Sequence, residues 1–234
     1  IHEEIVKGMS QACLELDPAC RLIGGETAQL PVMLQQGVTN FAGFVTAVTD
    51  RSCLIIPQER IKVGDIVIGI ASNGLHLNGL SLYQKVVFEI LGMKATAILP
   101  PTGFSAAEQV LRRQPNYAEI VYRQWLKNIS VHSNSNITGG GLVDNVVRNL
   151  PEGCRVKYRT GSWPVPDLFK WLIEKGNIPI DNARKTWNMG LGFVQIFGKK
   201  YEAEQAIQFI NEEFGLEAWI IGKVVKGERG VEFI

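Results

Sequence analysis

Apolar residues recur three and four positions apart in many stretches of this chain, which is the pattern of a helix with one buried face. The spacing predicts helices at 3–16, 80–91, 106–112, 117–128, 142–150, 167–175 and 203–214. Gly92 and Gly176 follow two of these runs, as expected where a helix ends. Helices are therefore predicted along the whole chain, with stretches of a different pattern between them.

Shorter apolar runs between the helices are rich in β-branched and aromatic residues, which favours strands. They lie at 21–23, 41–48, 66–71, 193–197, 218–225 and 231–234. The run at 66–71 is almost wholly apolar, as expected of a strand buried on both faces. The alternation of strands and helices predicts an α/β protein in which helices cover one side of a sheet.

The segment 57–64 has the character of a connector, and we place a domain boundary within it. The predicted division is 1–58 and 59–234. The chain opens at Ile1, inside a helical pattern and without an initiator Met. We therefore expect it to be a fragment of a longer protein.

The chain has 234 residues and a formal net charge of +1, enough for one large or two modest domains. Such a charge gives no electrostatic reason to expect a nucleic acid or an anionic membrane as partner. No apolar run approaches the roughly 20 residues of a membrane span. The four cysteines, Cys13, Cys20, Cys53 and Cys154, form no C-x-x-C pair. They are predicted to be reduced thiols of a cytosolic protein, not zinc ligands or disulfides.

Residues 136–142 read Asn-Ile-Thr-Gly-Gly-Gly-Leu. Consecutive glycines are costly in a folded domain because each loses the most backbone freedom. They lie directly before a predicted helix, where free N–H groups and the helix dipole favour an anion. One interpretation is a cradle for a phosphate or another anionic group. The other is a tight turn in which Thr138 caps the helix, and this stretch alone favours neither.

The segment Ser72 to Gly79 is a polar, glycine-containing loop between a predicted strand and a predicted helix. This is a second place suited to an anion or a polar ligand. His76 lies within it, and an imidazole there could hold a phosphate or move a proton. The alternative is a loop histidine that caps the helix. Because such loops carry function more often than cores do, the functional interpretation is favoured.

Two further side chains are candidates for a ligand role. His132 precedes a polar stretch, and a ligand role is weighed equally with that of a strand-end residue bonded to backbone. Glu26 follows two glycines after a predicted strand and could bind magnesium or a ribose hydroxyl. The alternative for Glu26 is a solvated acid at a turn. Trp163, Trp171 and Trp187 are predicted to lie in the core and not to form a stacking platform for bases.

Several motifs occur in a fixed order. Residues 24–31 read Gly-Gly-Glu-Thr-Ala-Gln-Leu-Pro, and Ala-Gly-Phe follows at 42–44. The Ser-Asn-Gly-Leu-His-Leu-Asn-Gly segment is at 72–79, Ile-Thr-Gly-Gly-Gly at 137–141, and Asn-Met-Gly-Leu-Gly at 188–192. Across nearly the whole chain these motifs resemble those of the aminoimidazole ribonucleotide synthetases, also called phosphoribosylformylglycinamidine cyclo-ligases, of the PurM-like superfamily.

The resemblance implies an ATP-dependent ring closure in purine biosynthesis, in a cytoplasmic enzyme that uses ATP and Mg²⁺. ATP would activate the amide oxygen of formylglycinamidine ribonucleotide, and an internal nitrogen would attack. It implies a PurM-like carboxy-terminal α/β domain at 59–234, the end of an ATP-binding, dimerising domain at 1–58, and a homodimer or larger assembly. Most ligands of ATP and Mg²⁺ would lie outside this chain, so we expect no catalysis from the chain alone.

The resemblance also assigns roles to individual residues. Substrate or phosphate binding falls to Ser72, Asn73, Gly74, His76, Asn78, Gly79, Thr138, Gly139, Gly140, Gly141, Asn188 and Gly190. Nucleotide binding falls to Gly24, Gly25, Glu26 and Thr27. His76 and His132 are the candidate catalytic residues, and Glu26 is the candidate metal ligand.

Some positions depart from the family pattern. Gln29 stands where the family has Glu, Leu77 where it has Ser, and Asn136 where it has a second His. These losses motivate an alternative function, a catalytically inactive structural or binding subunit of a larger complex. Related folds also serve selenophosphate synthesis, thiamine monophosphate phosphorylation and hydrogenase maturation, but the motifs at 24–28 and 76–79 favour the purine branch.

Overall fold

The structure is a computed structural model that describes residues 2–16, 20–28, 32–35, 37–51 and 54–234. The chain divides into two compact units, Ile1–Leu54 and Ile55–Ile234. The α/β prediction is confirmed, and the elements of the two units are described separately below.

The first unit contains helix α1, His2–Leu14, which has no buried residue. Residues 17–19, directly after the helix predicted at 3–16, lie outside the described residues. The strands predicted at 21–23 and 41–48 are wrong, because the structure assigns no strand to either stretch. A strand needs a neighbouring backbone to pair its N–H and C=O groups, and the described residues of this unit offer none. Cys13 and Cys20 are free thiols, as Cys154 is in the second unit, while Cys53 lies outside the described residues.

The second unit is built on one six-stranded sheet in the order β2-β4-β1-β5-β3-β6. The strands are β1 (Ile66–Ala71), β2 (Ser133–Asn136), β3 (Cys154–Tyr158), β4 (Leu191–Phe197), β5 (Ala218–Lys226) and β6 (Gly230–Phe233). Neighbours are antiparallel except β3 and β6, which are parallel. Strand β1 is central, which explains the apolar sequence of this strand.

Eight helices of the described part surround this sheet. They are α2 (Pro57–Arg60), α3 (Leu80–Gln84), α4 (Ala106–Leu111), α5 (Tyr117–Leu126), α6 (Gly141–Val147), α7 (Asp167–Gly176), α8 (Ile180–Thr186) and α9 (Lys200–Phe214). A π-helical segment, Lys85–Ile90, continues α3. Ser105 and Glu108 form a capping box that starts α4. In the part of the chain that is described, no helix combines the length and apolar character needed to cross a membrane.

Helices cover both faces of the sheet, so the prediction of helices on one side is wrong. One core contains Val67 of β1 with Val86 and Leu142. The other contains Ile68 and Ile70 of β1 with side chains of α5 and α9, including Ile120, Ala203 and Ile210. Because successive strand side chains point to opposite faces, β1 contributes to both cores. Trp163 and Trp187 are buried in the first core and Trp171 packs against it, as predicted.

Sequence reasoning did not predict α2, β2, β3 or α8. Strand β2 reads Ser-Asn-Ser-Asn and has no apolar residue to signal a strand. It forms because its backbone pairs with β4 at the edge of the sheet. Strand β3 alternates buried Cys154, Val156 and Tyr158 with half-buried residues, a period-2 pattern that was available in the sequence.

Candidate functional site

Three loops meet at one end of the strands of the sheet. Strands β1 and β2 both end there, and β4, antiparallel to both, begins there. The register pairs Ala71 with Leu191 and Asn136 with Phe193. The loops that leave these strand ends, 72–79, 137–141 and 187–190, are therefore neighbours, and we call them the three-loop site. Residues far apart in sequence come together in this way.

Asn188 joins two of the loops. Its Oδ1 accepts hydrogen bonds from Ser72 Oγ and from the Gly190 N–H, both at 2.9 Å. Its Nδ2 donates to the Gly74 carbonyl at 2.7 Å. The Ser72 N–H donates to the Gly190 carbonyl at 2.8 Å. Asn188 is 2% exposed, so its side-chain amide is buried, and both its oxygen and its nitrogen are hydrogen-bonded within the protein.

The triple-glycine loop is held by its own helix. Asn145 of α6 donates from Nδ2 to the carbonyls of Thr138 (3.2 Å), Gly139 (3.3 Å) and Gly141 (2.8 Å). Thr138 Oγ1 donates to Asn145 Oδ1 at 3.0 Å. The N-cap residue of α6 is Gly140, with φ 96° and no side-chain cap, and Thr138 Oγ1 is bonded to Asn145, so the alternative in which Thr138 caps the helix is wrong. Asn145 thus binds three carbonyls of this segment and stabilises its conformation.

His76 is 5% exposed and lies against the start of β4. A Cβ on Gly192 would come within 2.6 Å of His76 Cε1 and would also overlap the Tyr117 hydroxyl. Tyr117 donates to the Ala71 carbonyl at 2.7 Å, and burial raises its pKa. The N-cap residue of α3 is Gly79, which makes no side-chain cap, so His76 is not the helix cap of the alternative interpretation. His76 Nε2 is buried and has no hydrogen-bond partner.

Burial lowers the pKa of His76 to about 4 from the ordinary value of 6.5, because the charged imidazolium is poorly solvated there. The imidazole is therefore neutral at pH 7. In this state one ring nitrogen donates and the other accepts a hydrogen bond.

This shift predicts that the protein loses stability on acidification. Below pH 6.5 the unfolded state protonates its histidine while folded His76 does not, so stability falls as pH falls from 6.5 towards 4. We expect His76→Asn, a residue that tolerates the positive φ of 58° here, to remove this loss. In urea titrations at pH 7 and pH 4, wild type should lose up to about 3 kcal/mol more than the variant. An equal loss in both would show that His76 is not the group responsible.

Asn78 and Gly79 lie at the other end of the same loop. Trp187 Nε1 donates to the Gly79 carbonyl at 3.2 Å, and the indole ring occupies the space that a Cβ on Gly79 would need. Trp187 is fully buried. The loop is thus attached to 187–190 at Gly79 as well as at Ser72 and Gly74.

His132 is at the opposite end of the sheet. It precedes β2, and its Nδ1 is 2.7 Å from Asp65 Oδ2, just before β1. Its backbone N–H donates to Ile196 near the end of β4. The structure therefore does not bring His132 together with His76. The His132 imidazole pairs with the Asp65 carboxylate, and its backbone N–H alone bonds to backbone.

The predicted nucleotide-binding segment, Gly24 to Thr27, belongs to the first unit. Its residues are exposed and in no regular element. A Cβ on Gly24 or Gly25 would meet no atom within 4 Å. Within the described ranges, no group of three or more His, Cys, Asp or Glu side chains converges on Glu26 or anywhere else.

Sequence reasoning missed two residues that shape the three-loop site. Asn145 is a buried polar residue on the apolar face of its helix, four residues after Gly141. A polar residue at such a position could have been predicted from the sequence to bind the glycine loop. Gln109 is 2% exposed and lies against Gly74. No local sequence pattern predicts this contact.

Comparison with known proteins shows which protein family this chain resembles. Residues 62–234 match the family described as AIR synthase related protein, C-terminal domain. The phosphoribosylformylglycinamidine cyclo-ligase of Carboxydothermus hydrogenoformans is 38% identical over 228 residues, which are 97% of this chain and 64% of the relative. That of Alkaliphilus oremlandii is 39% identical over 228 residues, 97% of this chain and 65% of the relative.

A solved structure supports the fold alone. The crystal structure of thiamine-monophosphate kinase from Stenotrophomonas maltophilia K279a matches with a TM-score of 0.52 at 13% identity, over 74% of this chain and 51% of that chain. The chain spans 64% of the length of the first of its curated relatives, so those relatives contain sequence that this chain lacks. Residues 62–234 cover most of the chain, and the chain therefore belongs to the family of AIR synthase related proteins, of which it contains the carboxy-terminal domain.

Proposed function

We propose that the natural polypeptide containing this chain converts formylglycinamidine ribonucleotide and ATP into aminoimidazole ribonucleotide, ADP and phosphate. This chain would supply the carboxy-terminal part of the active site. The observation that carries the proposal is the convergence of the motifs at 72–79, 137–141 and 188–190 into the three-loop site. Relatives named for this reaction match 97% of the chain.

The backbone of the three-loop site is suited to the phosphoribosyl part of such a substrate. Loops with fixed N–H groups bind phosphate oxygens without reorganising. Asn188 and Asn145 bind the backbone carbonyls at Gly74 and Gly141, so these acceptors are already occupied by protein donors. Thr138 and Asn78 would line the same surface.

His76 is the side chain best placed to take part in chemistry. It is neutral at pH 7, and its free Nε2 lies within the three-loop site. A neutral imidazole can hold or accept the proton that the ring-closing nitrogen loses. His132 lies at the other end of the sheet and has no role in this proposal.

ATP and Mg²⁺ belong to the proposal through the resemblance. Glu26 and the segment Gly24 to Thr27 have no converging acidic partners among the described residues. We therefore assign most ligands of ATP and Mg²⁺ to the part of the relatives that this chain does not span. Bound there, ATP would activate the amide oxygen for attack. A cytoplasmic homodimer and the assignment of 1–58 to an amino-terminal domain are parts of the same proposal.

The test is an assay of aminoimidazole ribonucleotide formation by the natural polypeptide with formylglycinamidine ribonucleotide, ATP and Mg²⁺. We expect one ADP per product molecule and no product without ATP. His76→Asn should lower kcat by about 100-fold if His76 moves a proton. A folded protein that forms no product would overturn the proposal and support the inactive structural subunit, an alternative that the comparisons do not favour.

A further inference from the structure

Within the described ranges, the buried side-chain atoms without a hydrogen-bond partner belong to the 72–79 loop and to Gln109 beside it. They are Asn73 Oδ1, His76 Nε2, and both Nε2 and Oε1 of Gln109. Other buried amides of the second unit are paired, as Gln124 and Gln195 are with each other at 3.0 and 2.7 Å. Since buried polar groups are nearly always paired, this concentration requires an explanation.

Gln109 of α4 lies directly against the 72–79 loop. A Cβ on Gly74 would be 2.7 Å from Gln109 Nε2 and 4.0 Å from Arg112 Nη1. Asn73 Nδ2 donates to the Arg113 carbonyl, just beyond the same helix. Tyr83 donates to the Ala106 carbonyl at 2.8 Å and so anchors the start of α4 to α3. The unpaired amide of Gln109 is thus fixed at the loop and is not a mobile surface group.

The unpaired atoms define what could bind to them. Gln109 offers one N–H₂ donor and one acceptor, and Asn73 Oδ1 is an acceptor. Neutral His76 adds one nitrogen, a donor or an acceptor according to its tautomer. This set carries no positive charge and is richer in acceptors than a phosphate site. It suits a ligand group that donates through NH₂ and accepts through a neighbouring oxygen or nitrogen.

We infer that Gln109, with Asn73, forms hydrogen bonds with the amidine and formamide end of the substrate, while the glycine loops bind its phosphoribosyl end. This inference rests on the proposed function and names a specificity-determining residue that the motifs do not include. The four atoms are buried, so a ligand reaches them only when α4 and the loop separate. The ligand then supplies the partners that these atoms lack.

The experiment compares the natural polypeptide with its Gln109→Met variant by calorimetric titration. The two ligands are formylglycinamidine ribonucleotide and ribose 5-phosphate, which shares the phosphoribosyl part alone. We expect Gln109→Met to weaken the first by about 10-fold, the worth of one or two hydrogen bonds. Affinity for ribose 5-phosphate should not change. Because Met fills the space and removes an unpaired amide, the melting temperature should equal or exceed that of wild type.

The control is Gln208→Met, which alters an exposed glutamine on α9 and should change neither affinity. Equal weakening of both ligands by Gln109→Met would show a packing role and overturn the inference, as would unchanged affinity for both. If wild type binds ribose 5-phosphate but not formylglycinamidine ribonucleotide, both the proposed function and this inference fail. If wild type binds both ligands and Gln109→Met binds formylglycinamidine ribonucleotide with the affinity of wild type, only the inference fails.

Discussion

Replacing Gly141 by alanine is expected to destabilise the folded protein by about 3 kcal/mol, the largest effect among the three consecutive glycines. The Cβ would overlap the Arg184 carbonyl and lie 2.9 Å from the Trp187 carbonyl. Both are backbone atoms that no rotamer change can move. Overpacking of this kind costs about 1 to 3 kcal/mol, and the φ of +56° adds about 1 kcal/mol for a residue with a Cβ.

Gly139→Ala is the matched control. A Cβ at Gly139 meets no atom within 4 Å, and its φ is outside the left-handed region. We expect a change within about 0.5 kcal/mol in the free energy of unfolding, measured for both variants by urea titration. Equal destabilisation at the two positions would contradict the close approach of α6 to the segment before β4.

Asn188→Ala is the second substitution with a large expected effect. It leaves Ser72 Oγ, the Gly74 carbonyl and the Gly190 N–H without their partner. A buried polar group left unpaired costs about 1 to 3 kcal/mol, so a loss of about 3 kcal/mol is expected for the set. Because two loops separate, affinity for formylglycinamidine ribonucleotide should fall by at least about 10-fold in a binding titration.

The control for this variant is Asn211→Ala, at an exposed position on α9. It should leave the free energy of unfolding within about 0.5 kcal/mol of wild type and leave affinity unchanged. If Asn188→Ala were as stable as Asn211→Ala, the hydrogen bonds of Asn188 would not be what holds the loops.

Periodic apolar patterns predicted most of the second unit. The strand at 66–71 and the helices at 117–128 and 203–214 were found close to the predicted bounds, because packing against a core imposes the period on the sequence. Strand β2 was missed because an edge strand is formed by backbone pairing with β4, which needs no apolar side chains. The prediction of a strand at 41–48 was wrong because a suitable composition is not sufficient. This stretch has no pairing partner among the described residues of its unit.

The candidate site was predictable only in part. Glycine loops before helices have a local signature, and the motifs at 72–79 and 137–141 were identified from it. That they are neighbours depends on the sheet order, which places β4 between β1 and β2. The contact of Gln109 with Gly74 depends on where α4 returns to the sheet edge, and a linear sequence carries no signal for that.

The most direct test of the three-loop site is hydrogen exchange in the natural polypeptide with and without formylglycinamidine ribonucleotide. We expect slower exchange at 72–79, 137–141 and 187–190 together, with 129–132, around His132, unchanged as an internal reference. Protection at one loop alone, or at 129–132 in place of these segments, would contradict the claim that the three loops form a single binding site.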